Sequence, residues 1–245
     1  YHQHDGRLAS RRQELCDALT QMGQVIICAR GGYGVSDLLP FLPYRELSPS
    51  LLVGYSDISA LLSALWTQRQ FIGVHGAMPA TNSWEYDKSE AMTALLTVLA
   101  GKDTTGKIKL QRLGEHTTIH GTLFGGCLSV LTNLIATPYL PQSLAGYILF
   151  FEDINENVGR VLRNFNQWQQ SGMLAGVKAI ILGRFEKLAG DAQWLYRELL
   201  ERLACPLYFT DCFGHSAPLY PLPVGGKAEI TGDCLTWKLT SPFTS

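Results

Sequence analysis

Long apolar runs are missing from this 245-residue chain; none approaches the roughly 20 residues that cross a bilayer as a helix. A basic tract is missing too. Lysine and arginine number 20 against 21 acidic residues, a net charge of -1, so no footprint for nucleic acid or an anionic membrane surface is expected. Six cysteines (Cys16, Cys28, Cys127, Cys205, Cys212, Cys234) lack C-x-x-C spacing, which argues against a zinc site or a disulfide framework and for reduced, buried thiols. No metal or other cofactor is therefore expected. No signal-peptide pattern opens the sequence, which starts at Tyr1 rather than Met. The remaining composition, 46% hydrophobic and 17% charged, is that of a globular chain long enough for one large domain or two small ones.

The most informative stretch is 51–66, LLVGYSDISALLSALW. The run Leu51-Leu52-Val53 is short enough for a buried strand. Gly54-Tyr55-Ser56-Asp57 turns, and Ile58, Leu61, Leu62, Leu65 and Trp66 then follow the spacing of a helical face. Ser56 at such a turn has two readings. It caps the helix, as serine commonly does. Or the turn lifts its hydroxyl out of the sheet as a nucleophile, with backbone N–H groups aimed at the space beside it. The second glycine of G-x-S-x-G is absent, since Ile58 stands there.

Around this stretch, apolar periodicity predicts a helix over 8–22, a strand over Val25–Ala29, a helix start at Val35-Leu38-Leu39 and a strand over Phe71–Val74. Alternation of strand and helix implies a parallel sheet, whose ligands bind beyond the carboxyl ends of the strands. The loop Gly31-Gly32-Tyr33-Gly34 and His75 both fall at such ends. The loop is either a ligand cradle or a plain tight turn; it lacks the lysine of a P-loop and the spacing of a dinucleotide fingerprint. For His75 the expectation is a hydrogen-bonded structural histidine, with catalysis as the alternative.

Residues 80–118 are more polar, with Asn82, Asp87, Lys88, Lys102 and Asp103, and one helix is expected near Glu90–Leu99. This places an N-terminal domain at 1–85, a connection at 86–118 and a C-terminal domain at 119–245. In the latter, helices are expected after Gly125-Gly126 (Leu128, Leu131, Leu134, Ile135), over Val158–Gln170 and over Asp191–Leu203. Strands are expected at Tyr147–Phe151, Val177–Leu182 and Pro206–Phe209, and a hairpin at Ala228–Ile230 and Cys234–Leu239.

Two polar residues complete a chemical set. Glu152 follows the apolar run Ile148–Phe151, and His215 sits in Phe213-Gly214-His215-Ser216. A serine nucleophile needs an imidazole to take its proton and a carboxylate to fix the imidazole's tautomer. Ser56, His215 and Glu152 are the right types. Equally, Glu152 could pair with Arg160, Arg163 or Arg184, and His215 could be an ordinary loop histidine.

Several motifs resemble the LD-carboxypeptidase family of serine peptidases, the muropeptide carboxypeptidases and their microcin-immunity relatives. They are ARGGYG at 29–34, GYSDISAL at 54–61, ILFFEDINE at 148–156 and FGHSAPLYPLPVG at 213–225, supported by VHGAMPA at 74–80, GTLFGGCLSVLTNLIATPYLP at 121–141 and KAIILGRF at 178–185. The resemblance implies an α/β protein: a parallel-sheet N-terminal domain, a mixed α/β C-terminal domain and an active site in the cleft between them. The family's first strand and helix would lie ahead of residue 1. It implies Ser56 as nucleophile, His215 as base and Glu152 as its orienting carboxylate. The expected oxyanion donors are the backbone N–H groups of Asp57 and of Gly31 or Gly32. The implied reaction cleaves an L,D-peptide bond to a terminal D-alanine in cell-wall tetrapeptides, in the cytoplasm, in a homodimer. A microcin-immunity type peptidase, a non-catalytic binding protein and an inactive fragment are the alternatives. Cys127 stands where the family often has asparagine, and Leu162 where it often has an acidic residue; both positions are expected to bear on the substrate pocket.

Overall fold

A computed structural model describes residues 7–48, 51–85, 89–100, 102–112 and 118–239. Along the chain run α1 (Leu8–Thr20), β1 (Val25–Ile27), β2 (Leu51–Gly54), α2 (Ser59–Arg69) and β3 (Gly73–His75). The helix expected from Val35 is only a 3-10 turn at Leu39–Phe41, because Pro43 holds Leu42 extended (φ -74°, ψ 135°). The strand expected at Phe71 starts at Gly73, since Gln70 ends α2 in a left-handed turn (φ 52°) and the next two residues complete the connection. Then come α3 (Asn82–Glu85), α4 (Glu90–Leu99), β4 (Thr104–Lys109) and β5 (Gln111–Arg112). Asp87 and Lys88 lie outside the described residues. The remainder is β6 (Ile119–Cys127), α5 (Leu128–Thr132), β7 (Tyr147–Ile154), α6 (Val158–Gln170), β8 (Ala179–Glu186), α7 (Ala192–Arg202), β9 (Leu207–Phe209), β10 (Leu222–Val224), β11 (Lys227–Thr231) and β12 (Cys234–Leu239). Polar caps start three of the helices: Ser89 accepts the Ala91 N–H, Asn157 that of Arg160, and Asp191 those of Gln193 and Trp194.

The strands form two sheets. The first has the order β1-β2-β3-β10. Its first three strands are parallel, and β10 closes it antiparallel, Leu222 opposite His75. The second has the order β4-β12-β11-β6-β7-β8-β9-β5. Its centre, β6 to β9, is parallel, and β11, β12 and β4 extend it antiparallel. β4 and β5, the two edges of this sheet, come from the stretch read as a connection. The expected hairpin turns through Gly232 (φ 61°) and Asp233, with Thr231 opposite Cys234.

Helix α2 is buried on all sides over Ser59–Leu65 rather than on one face. It packs against β3 and β10 of the first sheet and against β6 and α5 of the second part. Its two buried hydroxyls are bonded: Ser59 Oγ accepts the Cys127 N–H at 3.0 Å, and Ser63 Oγ donates to the Tyr139 carbonyl at 2.6 Å. Leu61, Leu62 and Leu65 are at most 1% exposed, so each truncation to alanine would cost about 2–5 kcal/mol. This helix therefore fixes Ser56, just ahead of it, relative to the second sheet. Among the described residues no helix is long and apolar enough to cross a membrane.

Candidate active site

Ser56 stands between β2 and α2. Tyr55 is extended (φ -145°), Ser56 is left-handed (φ 61°), and residues 56–58 make one 3-10 turn before α2 begins. Gly54 makes the turn sterically possible, because a Cβ there would sit 2.7 Å from the Ile58 side chain. A left-handed serine costs about 1–3 kcal/mol and persists only where the surroundings impose it. Neither the turn nor α2 takes a side-chain cap from Ser56. The hydroxyl instead lies 3.0 Å from His215 Nε2.

His215 comes from the segment between β9 and β10. Its Nδ1 lies 2.5 Å from Glu152 Oε2. The Glu152 side chain is fully buried and that of His215 only 9% exposed. Burial alone would lower the imidazole's pKa, but the Glu152 charge and hydrogen bond outweigh it and raise the value above the ordinary histidine range. Tyr55 braces the ring, edge-on with centroids 5.2 Å apart, and its hydroxyl donates to the His215 carbonyl at 3.4 Å.

Glu152 is inside β7, not beyond its end as the apolar run suggested. β7 continues to Ile154, and a register shift against β8 between Phe151 and Asp153 marks a bulge at the carboxylates. Asp153 makes different bonds: its carboxylate accepts the Ser129 N–H at 2.8 Å, the Ser129 hydroxyl at 3.2 Å and the Ile154 N–H at 2.9 Å. Burial, only partly offset by those bonds, raises its pKa. The arginines named as rivals for Glu152 go elsewhere. Arg160 pairs with Glu156 at 2.8 Å, Arg184 pairs with Glu186, and Arg163 is exposed.

The glycine loop lies beside Ser56. A Cβ added to Gly31 would meet Ser56 Cβ at 2.7 Å and the Asp57 backbone nitrogen at 3.5 Å, so only glycine allows this approach. The Asp57 carboxylate fastens the loop by accepting the Val35 N–H at 3.0 Å. Gly32 (φ 149°) faces open space on its Cβ side.

His75 is not hydrogen-bonded as expected. It is fully buried, both ring nitrogens lack partners among the described residues, and Tyr55, Phe150 and Phe213 surround it edge-on. Burial first, and the nearby His215 second, lower its pKa to about 3, so the ring is neutral. Cys127 is buried next to Asp153, with Sγ 3.4 Å from its carboxylate, and Leu162 is buried in the hydrophobic core. A hydroxyl, an imidazole and a carboxylate in this relay can activate the hydroxyl as a nucleophile.

Two family models match. The N-terminal domain of LD-carboxypeptidases matches residues 1–76, and their C-terminal domain matches residues 120–230. The chain belongs to the LD-carboxypeptidase family. It is a serine-type carboxypeptidase, a hydrolase. The murein tetrapeptide carboxypeptidase of Pseudomonas aeruginosa is 32% identical over 95% of this chain and 80% of its own length. The microcin C7 self-immunity protein of Escherichia coli is 26% identical over 98% of this chain and 80% of its own length. The crystal structure of muramoyltetrapeptide carboxypeptidase from Oxalobacter formigenes has a TM-score of 0.84 at 27% identity, covering 98% of this chain and 87% of that one.

Some parts of this carboxypeptidase site were not anticipated from its sequence. Tyr55, Arg184, Glu186 and Ser216 all touch His215 or its loop. The motifs GYSDISAL, KAIILGRF and FGHSAPLYPLPVG contain Tyr55, Arg184 and Ser216 but not Glu186, and nothing in the residue spacing links 184 and 186 to 216.

Proposed function

We propose that this carboxypeptidase hydrolyses the L,D-peptide bond to the terminal D-alanine of muropeptide tetrapeptides during cell-wall recycling. The observation that carries the proposal is the unbroken relay Ser56 Oγ–His215–Glu152, with spacings of 3.0 and 2.5 Å. In this reading His215 Nε2 takes the Ser56 proton as Oγ attacks the carbonyl of the L-centre. Glu152 holds the Nδ1–H tautomer and stabilises the imidazolium. Backbone N–H groups of Asp57 and of Gly31 or Gly32 stabilise the oxyanion, a role supported by the tight approach of Gly31 to Ser56. His215 then protonates the departing amine of D-alanine, and water, deprotonated by the same imidazole, hydrolyses the acyl-enzyme.

The proposal divides the chain as 1–85, 86–118 and 119–245, with Ser56 on one side of the cleft and Glu152 and His215 on the other. Its substrate is a small peptide, its compartment the cytoplasm and its assembly a homodimer. Six free cysteines support the compartment. A second reading, a microcin-immunity type peptidase on the same triad, is supported by the likeness to the self-immunity protein. The deciding experiment incubates the protein with a muropeptide tetrapeptide and, separately, with a processed microcin, and follows the products by mass spectrometry. Release of D-alanine supports the first substrate. Cleavage of the microcin alone supports the second, and no product from either overturns both.

A further inference from the structure

The strand next to β7 carries a second, separate polar cluster. The Arg184 guanidinium on β8 donates to the carbonyls of Asp211 and Ser216 and, at 3.0 Å, to that of Pro218. Its Nε donates to Glu186 Oε1 at 3.3 Å. Glu186 Oε1 also accepts the Ser216 N–H at 2.8 Å and the Ser216 hydroxyl at 2.7 Å. The Arg184 backbone N–H donates to the Phe213 carbonyl at 2.9 Å. The loop is thus tied down at 211 and 213 before His215, and at 216 and 218 after it. Gly214 permits this contact: a Cβ there would sit 2.9 Å from Arg184 Cβ and 3.0 Å from Glu186 Oε1. Both clamping side chains are under one-fifth exposed, 18% and 19%.

We infer that Arg184 and Glu186 are positioning residues that hold the His215 loop against β8 and so set the imidazole's place between Ser56 and Glu152, a role that rests on the triad proposed above. Arginine suits the task because its planar fork carries five donors and reaches several carbonyls at once; lysine cannot span them. The tolerance is narrow, since a misplacement of about 1 Å can cost on the order of 10²-fold in rate. Glu186 has a second effect. Its charge joins those of Glu152 and Asp153 on β7 in favouring the protonated imidazole, while burial opposes that form. Among the described residues the other ionisable groups near the ring include Tyr55 ahead of α2, Arg184 on β8 and neutral His75 on β3. Glu186 is itself kept below the ordinary glutamate range, burial being outweighed by its bonds to Ser216 and Arg184.

The test measures kcat and KM for D-alanine release from a muropeptide tetrapeptide, across pH, on the full chain. Arg184→Lys is expected to lower kcat about 10–100-fold with KM within about threefold, because binding groups stay and alignment is lost. Glu186→Gln keeps an acceptor for Ser216 but loses the charge. Its acid limb in kcat/KM is expected to move to lower pH, which a merely structural role would not produce. Should Arg184→Lys fail to fold, Ser216→Ala removes one tie alone and is expected to lower kcat about 2–10-fold with the acid limb in place. Wild-type kcat in the folded variants, with an unmoved acid limb in Glu186→Gln, overturns the inference. Ser56→Ala is measured alongside. If it stays active, the triad itself is wrong; if it is dead while the clamp variants behave as wild type, only the clamp is wrong.

Discussion

The ring of His75 lies edge-on to that of Tyr55, centroids 6.0 Å apart, and Tyr55 in turn lies edge-on to His215. A neutral, buried imidazole thus stands directly behind the residue that steadies the relay histidine. This arrangement has a cost in acid. Unfolded, His75 would titrate near the ordinary value of about 6.5. Folded, it resists protonation until about pH 3. Between those values the unfolded chain binds the extra proton, so stability falls as pH drops through that window, by up to about 1.4 kcal/mol per pH unit from this residue. Denaturant unfolding at several pH values should show a shallower slope between pH 6 and 4 in His75→Leu than in wild type. Equal slopes would mean that His75 is not the neutral, buried group described.

A second prediction concerns strain at Ser56. Both Ser56→Ala and Ser56→Gly remove the hydroxyl, and each is expected to lose about 10⁴-fold or more of kcat, with EDTA leaving the wild-type rate intact. Their stabilities should differ. At φ 61° alanine is strained and glycine is not. The glycine variant is therefore expected to be more stable than the alanine variant by about 1 kcal/mol. Equal stabilities would show that the turn relaxes when the hydroxyl goes.

Thiol accessibility gives a third. All six cysteines are free. Burial raises Cys28 to about 12, Cys205 to about 11 and Cys127 well above its ordinary range. Native protein at pH 8 should react with a thiol reagent at fewer than six sites quickly, and denatured, unreduced protein at close to six. A shortfall of two or more in the denatured sample would instead indicate a disulfide and an exported protein.

Local signals were legible where one segment carried its own information. The Leu51–Val53 run, the glycine and the apolar helix gave the strand–turn–helix at Ser56. Apolar periodicity gave α6 and α7 nearly to the residue. Long-range pairing was not legible. β10 is only Leu222-Pro223-Val224 in a proline-rich stretch, yet it completes the first sheet. β4 reads as polar because Thr105, Lys107 and Lys109 point outward, so its role as a sheet edge was invisible. The burial of α2 on every side depends on two sheets that one helical window cannot contain. In the site, the residue types of the relay could be named from sequence, but the arginine–glutamate clamp joins residues about 30 positions apart and has no local signature.

The last prediction separates three neighbouring carboxylates. Glu152 lies inside β7 opposite Cys127, fully buried, with Oε2 2.5 Å from His215 Nδ1. Asp153 is equally buried but spends its oxygens on Ser129 and Ile154. Glu156 lies past the left-handed Asn155 (φ 59°) and pairs with Arg160. On the proposed mechanism only the first, the one bonded to His215, is placed to hold the imidazole's tautomer and stabilise its protonated form during attack. Glu152→Gln is expected to cut kcat by about 10²–10⁴-fold, while Asp153→Asn and Glu156→Gln stay within roughly tenfold. The pH profile adds a signature. The Glu152 charge holds His215 protonated to a pH above the ordinary histidine value, so the acid limb of activity is expected to be displaced upward in wild type. Loss of the Glu152 charge removes the main attraction opposing burial, and the limb should shift to lower pH in whatever activity remains. If Asp153→Asn or Glu156→Gln proves crippling and moves the limb while Glu152→Gln is mild, Glu152 is not the orienting carboxylate.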